Sequence, residues 1–169
     1  LDAEEEELRM KAKANLKAGN RKLAGEYALK LKKVGAEHDE VKNQFEDAQK
    51  IVVDIETTSV SPHTGTILGI AMSTRPHQGI YVSVEIVEKH KQWFHDLFTE
   101  KLCIFHNSKF DTNYMETEMG FEFPNYEDTM LLHYCLEEAV GTHGLKPLAL
   151  RFTDLGDYER ELDEYKKSW

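Results

Sequence analysis

The stretch Ile51-Val52-Val53-Asp54-Ile55-Glu56-Thr57 marks the point where the chain changes from a helical to a strand-like composition. Its first five residues are β-branched apart from one aspartate, which is typical of a strand. Alternate side chains of a strand point to the same side, so Asp54 and Glu56 leave this strand together. We expect that side to be buried, where two adjacent carboxylates are costly unless a cation pairs with them. For the pair alone, a strand end in solvent, where two acids are harmless, is the favoured interpretation.

Upstream of this strand, residues 1–50 contain no proline and are rich in Glu, Lys, Ala and Leu, which favours helices. We predict helices over residues 2–18, 21–34 and 37–49, with breaks at Gly19-Asn20 and Val34-Gly35. The sparse apolar pattern indicates a helical N-terminal appendage or linker. The domain boundary is therefore placed between residues 50 and 51, with one domain over 51–169.

Downstream, short β-branched segments separated by turn residues give way to alternating helix and strand. The first three strands could form an antiparallel meander, and the next helix and strand form a crossover. The pattern predicts an α/β fold with a mixed sheet flanked by helices. The predicted elements are strands at 51–55, 66–72, 79–84 and 102–105, and helices at 85–99, 110–119, 129–138 and 145–152.

Composition excludes several classes of protein. The chain is 40% hydrophobic and 31% charged, and it has no apolar run long enough to span a bilayer, so we expect no membrane contact. Cys103 and Cys135 both lie in apolar segments, which favours buried thiols in a reducing compartment. We interpret the chain as cytoplasmic.

The net charge of −10 is unevenly distributed. Residues 1–50 hold eleven acidic and eleven basic residues, which leaves 20 acidic against 10 basic residues in 51–169. Such an acidic domain argues against broad binding of nucleic-acid backbones through clustered Lys and Arg. It permits a small site where carboxylates hold cations and the cations meet phosphate.

A second polar cluster, His106-Asn107-Ser108-Lys109-Phe110-Asp111, directly follows a predicted strand and leads into a helix. Sites in α/β proteins form at this kind of sheet edge, so Asp111 is expected to approach Asp54 and Glu56. Three carboxylates select Mg²⁺ or Mn²⁺, and phosphodiester hydrolysis uses two such ions. The alternative is structural, with Asn107 as a turn residue and Asp111 as an acid in the first turn of a helix.

Other candidates are weaker. No Cys-x-x-Cys or His-x-x-x-His pair supports zinc binding, so we interpret the remaining Cys and His residues as packing or surface residues. Asp128 precedes an apolar helix and has the context of an N-cap rather than a ligand.

The spacing Asp54-x-Glu56-Thr57, followed by His106-Asn107-x-x-Phe110-Asp111, resembles the first two motifs of the DEDD exonuclease superfamily. Residues 127–134 and 142–149 are similar to the proofreading 3′ to 5′ exonuclease domain of family A, polymerase I-like DNA polymerases. The segment 152–158 is most similar to bacteriophage members of that family. The resemblance covers residues 50 to about 165.

This resemblance implies a ribonuclease H-like sheet and two-metal-ion removal of 3′-terminal nucleotides from single-stranded DNA. Asp54, Glu56 and Asp111 match the catalytic ligands of Mg²⁺ or Mn²⁺. Four further positions match residues that touch the substrate. Val60 would be an apolar wedge against the terminal base, and the other three would line the strand: Thr57, Asn107 and Phe110.

The third motif of the family, Tyr-x-x-x-Asp on a late helix, has no counterpart in this sequence. Tyr158 and Asp163 are five residues apart and would face different sides of a helix. Tyr114 and Glu118 have the right spacing but share the predicted helix of Asp111. We therefore expect the exonuclease domain to be incomplete at its C-terminus, and this chain to act slowly by itself. The resemblance also implies a polymerase domain in the same native chain.

Two rival functions stay open at this level. One is a stand-alone or RNA-directed DEDD exoribonuclease, which shares the first two motifs. The other is a non-catalytic module that binds DNA ends, against which the retention of three clustered acids argues.

Overall fold

The structure, a computed structural model, describes residues 2–156; Tyr158 and Asp163 lie outside them. Its helices and strands follow in the order α1 Asp2–Lys17, α2 Arg21–Glu46, β1 Lys50–Thr57, β2 Ile67–Arg75, β3 Gln78–Ser83, α3 Val84–Lys89, α4 Lys91–Glu100, β4 Leu102–Phe105, α5 Ser108–Met119, β5 Tyr126–Asp128, α6 Thr129–Leu136 and α7 Leu145–Phe152. Among these helices, none is long and apolar enough to cross a membrane.

The five strands form one mixed sheet in the order β3-β2-β1-β4-β5. β1, β2 and β3 pair in antiparallel fashion, as the predicted meander requires, whereas β4 runs parallel to both β1 and β5. The crossover from β3 to β4 contains two helices, α3 and α4, where one was predicted, and they are separated at His90. The predicted mixed α/β sheet is confirmed.

The ladder between β1 and β4 is short. It pairs residues 50–52 with 102–104 and ends there, while β1 continues to Thr57 beside β2. The last residues of β1 therefore have a strand on one side only. Their other edge is available to the segment that follows β4, which is where α5 begins.

The main core lies on one face of this sheet. β1 alternates strictly, with Ile51, Val53 and Ile55 buried and the intervening residues exposed. Large side chains from the helices and loops complete this core, among them Phe45, Phe94, Phe98, Tyr114, Met115 and Phe121.

Two further sequence predictions differ from the structure at the level of whole elements. The predicted break at Val34-Gly35 is absent, because α2 continues through it to Glu46. A glycine inside a helix costs only about 1 kcal/mol relative to alanine, and the strong helix formers around it offset that cost. The short strand β5 was missed, since three residues carry no periodicity that can be recognised.

The end of α2 packs against the sheet domain. Phe45 is 1% exposed within the core, Gln44 donates a hydrogen bond to Thr74 of β2, and Trp93 donates one to Glu46. The appendage predicted over residues 1–50 therefore contributes at least its last turns to the packing of the domain.

This contact yields a test of the core. Replacing Phe45 with alanine leaves a cavity, and Phe45→Ala should lower the free energy of unfolding by about 3–5 kcal/mol. Leu29, on the same helix but 72% exposed, provides the control, and Leu29→Ala should change it by less than about 0.5 kcal/mol. Urea denaturation of both variants measures the difference, and equal losses would contradict the packing of α2.

Candidate active site

The centre of the site is a hydrogen bond between distant parts of the sequence. The backbone N–H of Ile55 donates to Asp111 Oδ1 at 3.1 Å. This N–H lies on the edge of β1 that β4 no longer covers, so the Asp111 side chain takes the place of a neighbouring strand. Asp111 is 2% exposed, and it comes to β1 because only two residues separate the end of β4 from the start of α5.

Asp54 and Glu56 lie on the exposed face of β1, opposite to Ile51, Val53 and Ile55. The expectation that they share the buried face is therefore wrong; they have the parity of Val52, which is 48% exposed. The carboxylate buried in the site is that of Asp111. The alternative of a strand end in solvent thus fits Glu56, which is exposed, whereas Asp111 is buried.

The carboxylates nevertheless influence one another. Partial burial raises the pKa of Asp54, and the negative charge of Glu56 raises it further. Burial and then the charge of Asp54 raise the pKa of Asp111 to about 7. In opposition to these effects, the Ile55 N–H lowers the pKa of both aspartates, and His106 lowers that of Asp54. The site therefore holds neighbouring acids that resist being charged together.

These acids are not grouped as a finished metal site. Within residues 2–156, no three His, Cys, Asp or Glu side chains are placed so that they could hold a metal ion. Their chemistry fits a divalent cation all the same, because oxygen ligands are those that Mg²⁺ and Mn²⁺ prefer. A cation would also remove the repulsion that raises the pKa of Asp54 and Asp111.

Asp128 holds the turn that leads into α5. It accepts hydrogen bonds from Asn107 N at 3.1 Å, Ser108 N at 2.7 Å and Ser108 Oγ at 2.8 Å, and it caps α6 through Met130 N at 2.9 Å. Burial alone would raise the pKa of Asp128, but these hydrogen bonds keep it below its usual value. The predicted N-cap is confirmed, and Asp128 also fixes the start of α5, the helix that carries Asp111.

Asn107 has a left-handed backbone conformation, with φ of 67°, at the start of α5. Asparagine tolerates this region better than most residues, which gives Asn107 a structural reason to be there. Its side chain is exposed, and its predicted contact with substrate stays a prediction.

The remaining predicted substrate residues lie around the same end of β1. Thr57 is half-buried and donates from Oγ1 to the Ser59 carbonyl at 2.8 Å. Val60 is 86% exposed on the loop between β1 and β2. Phe110 is half-buried on α5, and its ring packs against Tyr114 with centroids 5.2 Å apart.

The histidines and cysteines near α6 and β4 occupy packing and surface positions. His133 and His143 approach at 2.8 Å between their Nδ1 atoms, and His106 Nδ1 lies 2.9 Å from Thr129 Oγ1. Cys103 is buried, as predicted, but Cys135 is exposed, because its side of α6 faces away from the core.

An open apolar groove of about 640 Å³ lies between α6 and α7, with His106 at one side. Leu132, Leu148 and Phe152 are among the residues that line it. His106 therefore borders this groove and also lowers the pKa of Asp54.

The raised pKa of Asp111 predicts how stability depends on pH. Between about pH 4 and 7 the folded chain retains a proton at Asp111 that the unfolded chain has released, so the free energy of unfolding falls as pH rises. The slope from this one group is at most about 1.4 kcal/mol per pH unit. With metal ions chelated, Asp111→Asn should flatten the dependence, whereas the exposed control Glu122→Gln should not. Denaturation curves at pH 5 and 8 measure this change for all three proteins. An equal change in the free energy of unfolding in all three would contradict the assignment.

Comparisons with known proteins agree with this architecture. The DNA polymerase of Escherichia phage T5 is 34% identical over 128 residues, which cover 70% of this chain and 15% of the phage protein. DNA polymerase I of Borreliella burgdorferi is 29% identical over 109 residues, or 60% of this chain and 12% of that protein. The chain therefore spans less than a sixth of the length of these curated relatives.

Among solved structures, NrnC of Brucella melitensis has a TM-score of 0.59 at 19% identity, covering 65% of this chain and 55% of that one. The catalytic core of RRP6 from Trypanosoma brucei has a TM-score of 0.55 at 20% identity, covering 66% and 31%. These likenesses show the ribonuclease H-like fold. The family model described as 3'-5' exonuclease matches residues 34–169, and the chain belongs to this family, in a branch related to the exonuclease domains of polymerase I.

Proposed function

We propose that this chain is the proofreading exonuclease domain of a phage-type DNA polymerase. It removes 3′-terminal nucleotides from single-stranded DNA by metal-dependent hydrolysis. The observation that carries the proposal is the approach of Asp111 to the end of β1, where Asp54 and Glu56 lie. Family membership and the phage T5 relative support the polymerase context.

In this proposal Asp54, Glu56 and Asp111 hold two Mg²⁺ or Mn²⁺ ions. Such ions supply an activated water and stabilise the leaving oxygen during phosphodiester hydrolysis. A structure of NrnC with bound Mg²⁺ among the neighbours supports the use of a divalent ion. The task of the protein is to keep the three carboxylates close in spite of their repulsion, and the Ile55 N–H contributes to this by holding Asp111.

The substrate would lie along the start of α5 and the loop after β1. Val60, exposed at that loop, is placed to contact an unpaired base through apolar surface alone. Contacts of this kind do not depend on base identity, as the removal of any mismatched nucleotide requires. Thr57, Asn107 and Phe110 would line the same path.

The polymerase domain would belong to the same natural chain, and the domain boundary near residue 50 is part of the proposal. No tyrosine in this sequence is followed four residues later by aspartate. We therefore expect residues 1–169 alone to be slower than the same domain within a polymerase, because errors of about 1 Å in a catalytic site can cost roughly a hundredfold in rate. We also propose that the chain acts in the cytoplasm.

An RNA-directed exonuclease is the alternative, and the structural likeness to RRP6 shows only that the fold is shared. Parallel assays on DNA and RNA oligonucleotides of the same sequence separate the two. Faster trimming of the RNA 3′ end would favour the alternative.

The proposal predicts the effect of removing two ligands. Asp54→Ala combined with Glu56→Ala should reduce release of 3′ nucleotides at least a hundredfold, because only Asp111 of the three proposed ligands remains to hold two ions. The thermal unfolding temperature without metal should hold or rise, since clustered like charges are gone. The matched control is the exposed pair Glu88→Ala with Glu100→Ala, which should leave the rate unchanged. A double variant at Asp54 and Glu56 that releases nucleotides at the rate of the unchanged chain would contradict their assignment as ligands.

A further inference from the structure

One face of α5 holds the β1–β2 hairpin at three backbone points. Asp111 Oδ1 accepts from Ile55 N, the Tyr114 hydroxyl donates to the Ser59 carbonyl, and Glu118 Oε2 accepts from Ile67 N at 3.0 Å. The three side chains are spaced i, i+3 and i+7, which places them in a row along one side of a helix. Their partners are the end of β1, the loop after it and the start of β2.

We propose that Tyr114 and Glu118 are positioning residues that fix the β1–β2 loop, residues 58–66, so that Val60 meets the 3′-terminal nucleotide. This inference rests on the proposed function for the substrate, but the fixing of the loop stands on the contacts alone. The pair imitates the spacing of a tyrosine and an acid in a catalytic motif, yet both side chains are engaged with backbone.

The Ser59 carbonyl is the point where these contacts meet. It accepts from Tyr114 and also from Thr57 Oγ1 at 2.8 Å, so it links a predicted substrate residue to α5. Ser59 directly precedes Val60, whose side chain is 86% exposed. A displacement of the Ser59 carbonyl would therefore move both Thr57 and Val60.

The absence of a side chain at Gly65 leaves room in the loop for the Tyr114 hydroxyl. Tyr114 is completely buried, and a Cβ atom added to Gly65 would lie only 2.4 Å from its hydroxyl and 2.7 Å from Ser59 Cβ. Any side chain at position 65 would force these groups apart. Gly65 thus leaves the space in which Tyr114 reaches the loop.

Hydrogen bonds within the loop join its two ends, so a displacement of one end is transmitted to the other. Thr58 N donates to the Thr66 carbonyl at 3.0 Å, Thr66 N donates to Thr58 Oγ1 at 2.9 Å, and Gly65 N donates to the Ser61 carbonyl at 2.9 Å. A loop closed in this way is held near its start by Tyr114, at Ser59, and directly after its end by Glu118, at Ile67. Such a loop presents Val60 at a fixed place relative to Asp111, which is on the same helix as the two positioning residues.

The first arm of the test measures the loop itself in the 169-residue chain. Tyr114→Phe removes one hydroxyl and keeps the ring that packs against Phe110, and the Ser59 carbonyl retains Thr57 as a donor. Amide hydrogen exchange at Thr58, Gly65 and Thr66 should become roughly three- to tenfold faster, with core amides unchanged. Tyr126→Phe, the same change on the half-exposed edge strand β5, is the control. Unchanged exchange in the loop would overturn the inference.

The second arm measures excision from a single-stranded DNA oligonucleotide with Mn²⁺ and protein in excess. Tyr114→Phe should lower the rate roughly three- to tenfold. In a chain that already carries Val60→Ala, the same change should lower the rate by a smaller factor than in the unchanged chain, because part of the effect of the tyrosine reaches the substrate through Val60. Full additivity of the two losses would overturn the positioning role. Glu118→Gln keeps an acceptor for Ile67 N and should retain more activity than Glu118→Ala.

The two arms fail separately. If the unchanged chain releases no nucleotide with Mn²⁺, the proposed function fails and the role toward substrate fails with it. The exchange measurement still decides whether Tyr114 holds the loop. Gly65→Ala is a second variant for that arm and should accelerate exchange of the same amides, and exchange equal to that of the unchanged chain would count against the fixed loop.

Discussion

The hydrogen bond from the Ile55 N–H to Asp111 is the interaction on which the site depends. β1 outlasts its parallel neighbour β4, so it ends with backbone groups that need a partner other than a strand. Asp111 supplies that partner and is buried in doing so. A structural need of the sheet thus brings an acid from α5 to the two acids that leave β1. Two further contacts set the position of α5. Asp128 accepts a hydrogen bond from the first residue of this helix, and Tyr114 within the helix donates one to the Ser59 carbonyl.

Burial and the charge of Asp54 raise the pKa of Asp111, and burial and the charge of Glu56 raise the pKa of Asp54, so these acids are unfavourable neighbours while charged. Sites of this kind are typical of catalysis and of metal binding, because a functional demand maintains what stability alone would remove. In the proposed function, the carboxylate oxygens of Asp54, Glu56 and Asp111 would meet this demand by holding cations. The exposed apolar side chain of Val60, on the loop after β1, would then contact the base at the same end of the strand.

Sequence patterns predicted the parts of this structure that depend on local periodicity. β4 and α7 have the predicted bounds, and the meander and crossover follow from alternation and turn residues. The sequence also indicated that Asp111 would reach the end of β1, because loops after neighbouring parallel strands meet at one edge. The prediction that Asp54 and Glu56 leave a buried side of the strand is wrong, because alternation with buried Ile51 and Val53 places Asp54 on the exposed face. The contacts of Tyr114 and Glu118 could not be foreseen, since their partners are 55 and 51 residues away and are backbone atoms. No local pattern records such a partner.

The central claim is that Asp54, Glu56 and Asp111 act as one set of ligands at the end of β1. A crystal structure of the chain soaked with Mn²⁺, with anomalous scattering recorded at the manganese edge, tests it most directly. The account predicts an anomalous peak at this place, with carboxylate oxygens of Asp54 and Asp111 at roughly 2.0–2.3 Å. Glu56 should turn toward the same ion or its neighbour. Mn²⁺ bound elsewhere, with Asp54 and Asp111 left without an ion, would contradict the account.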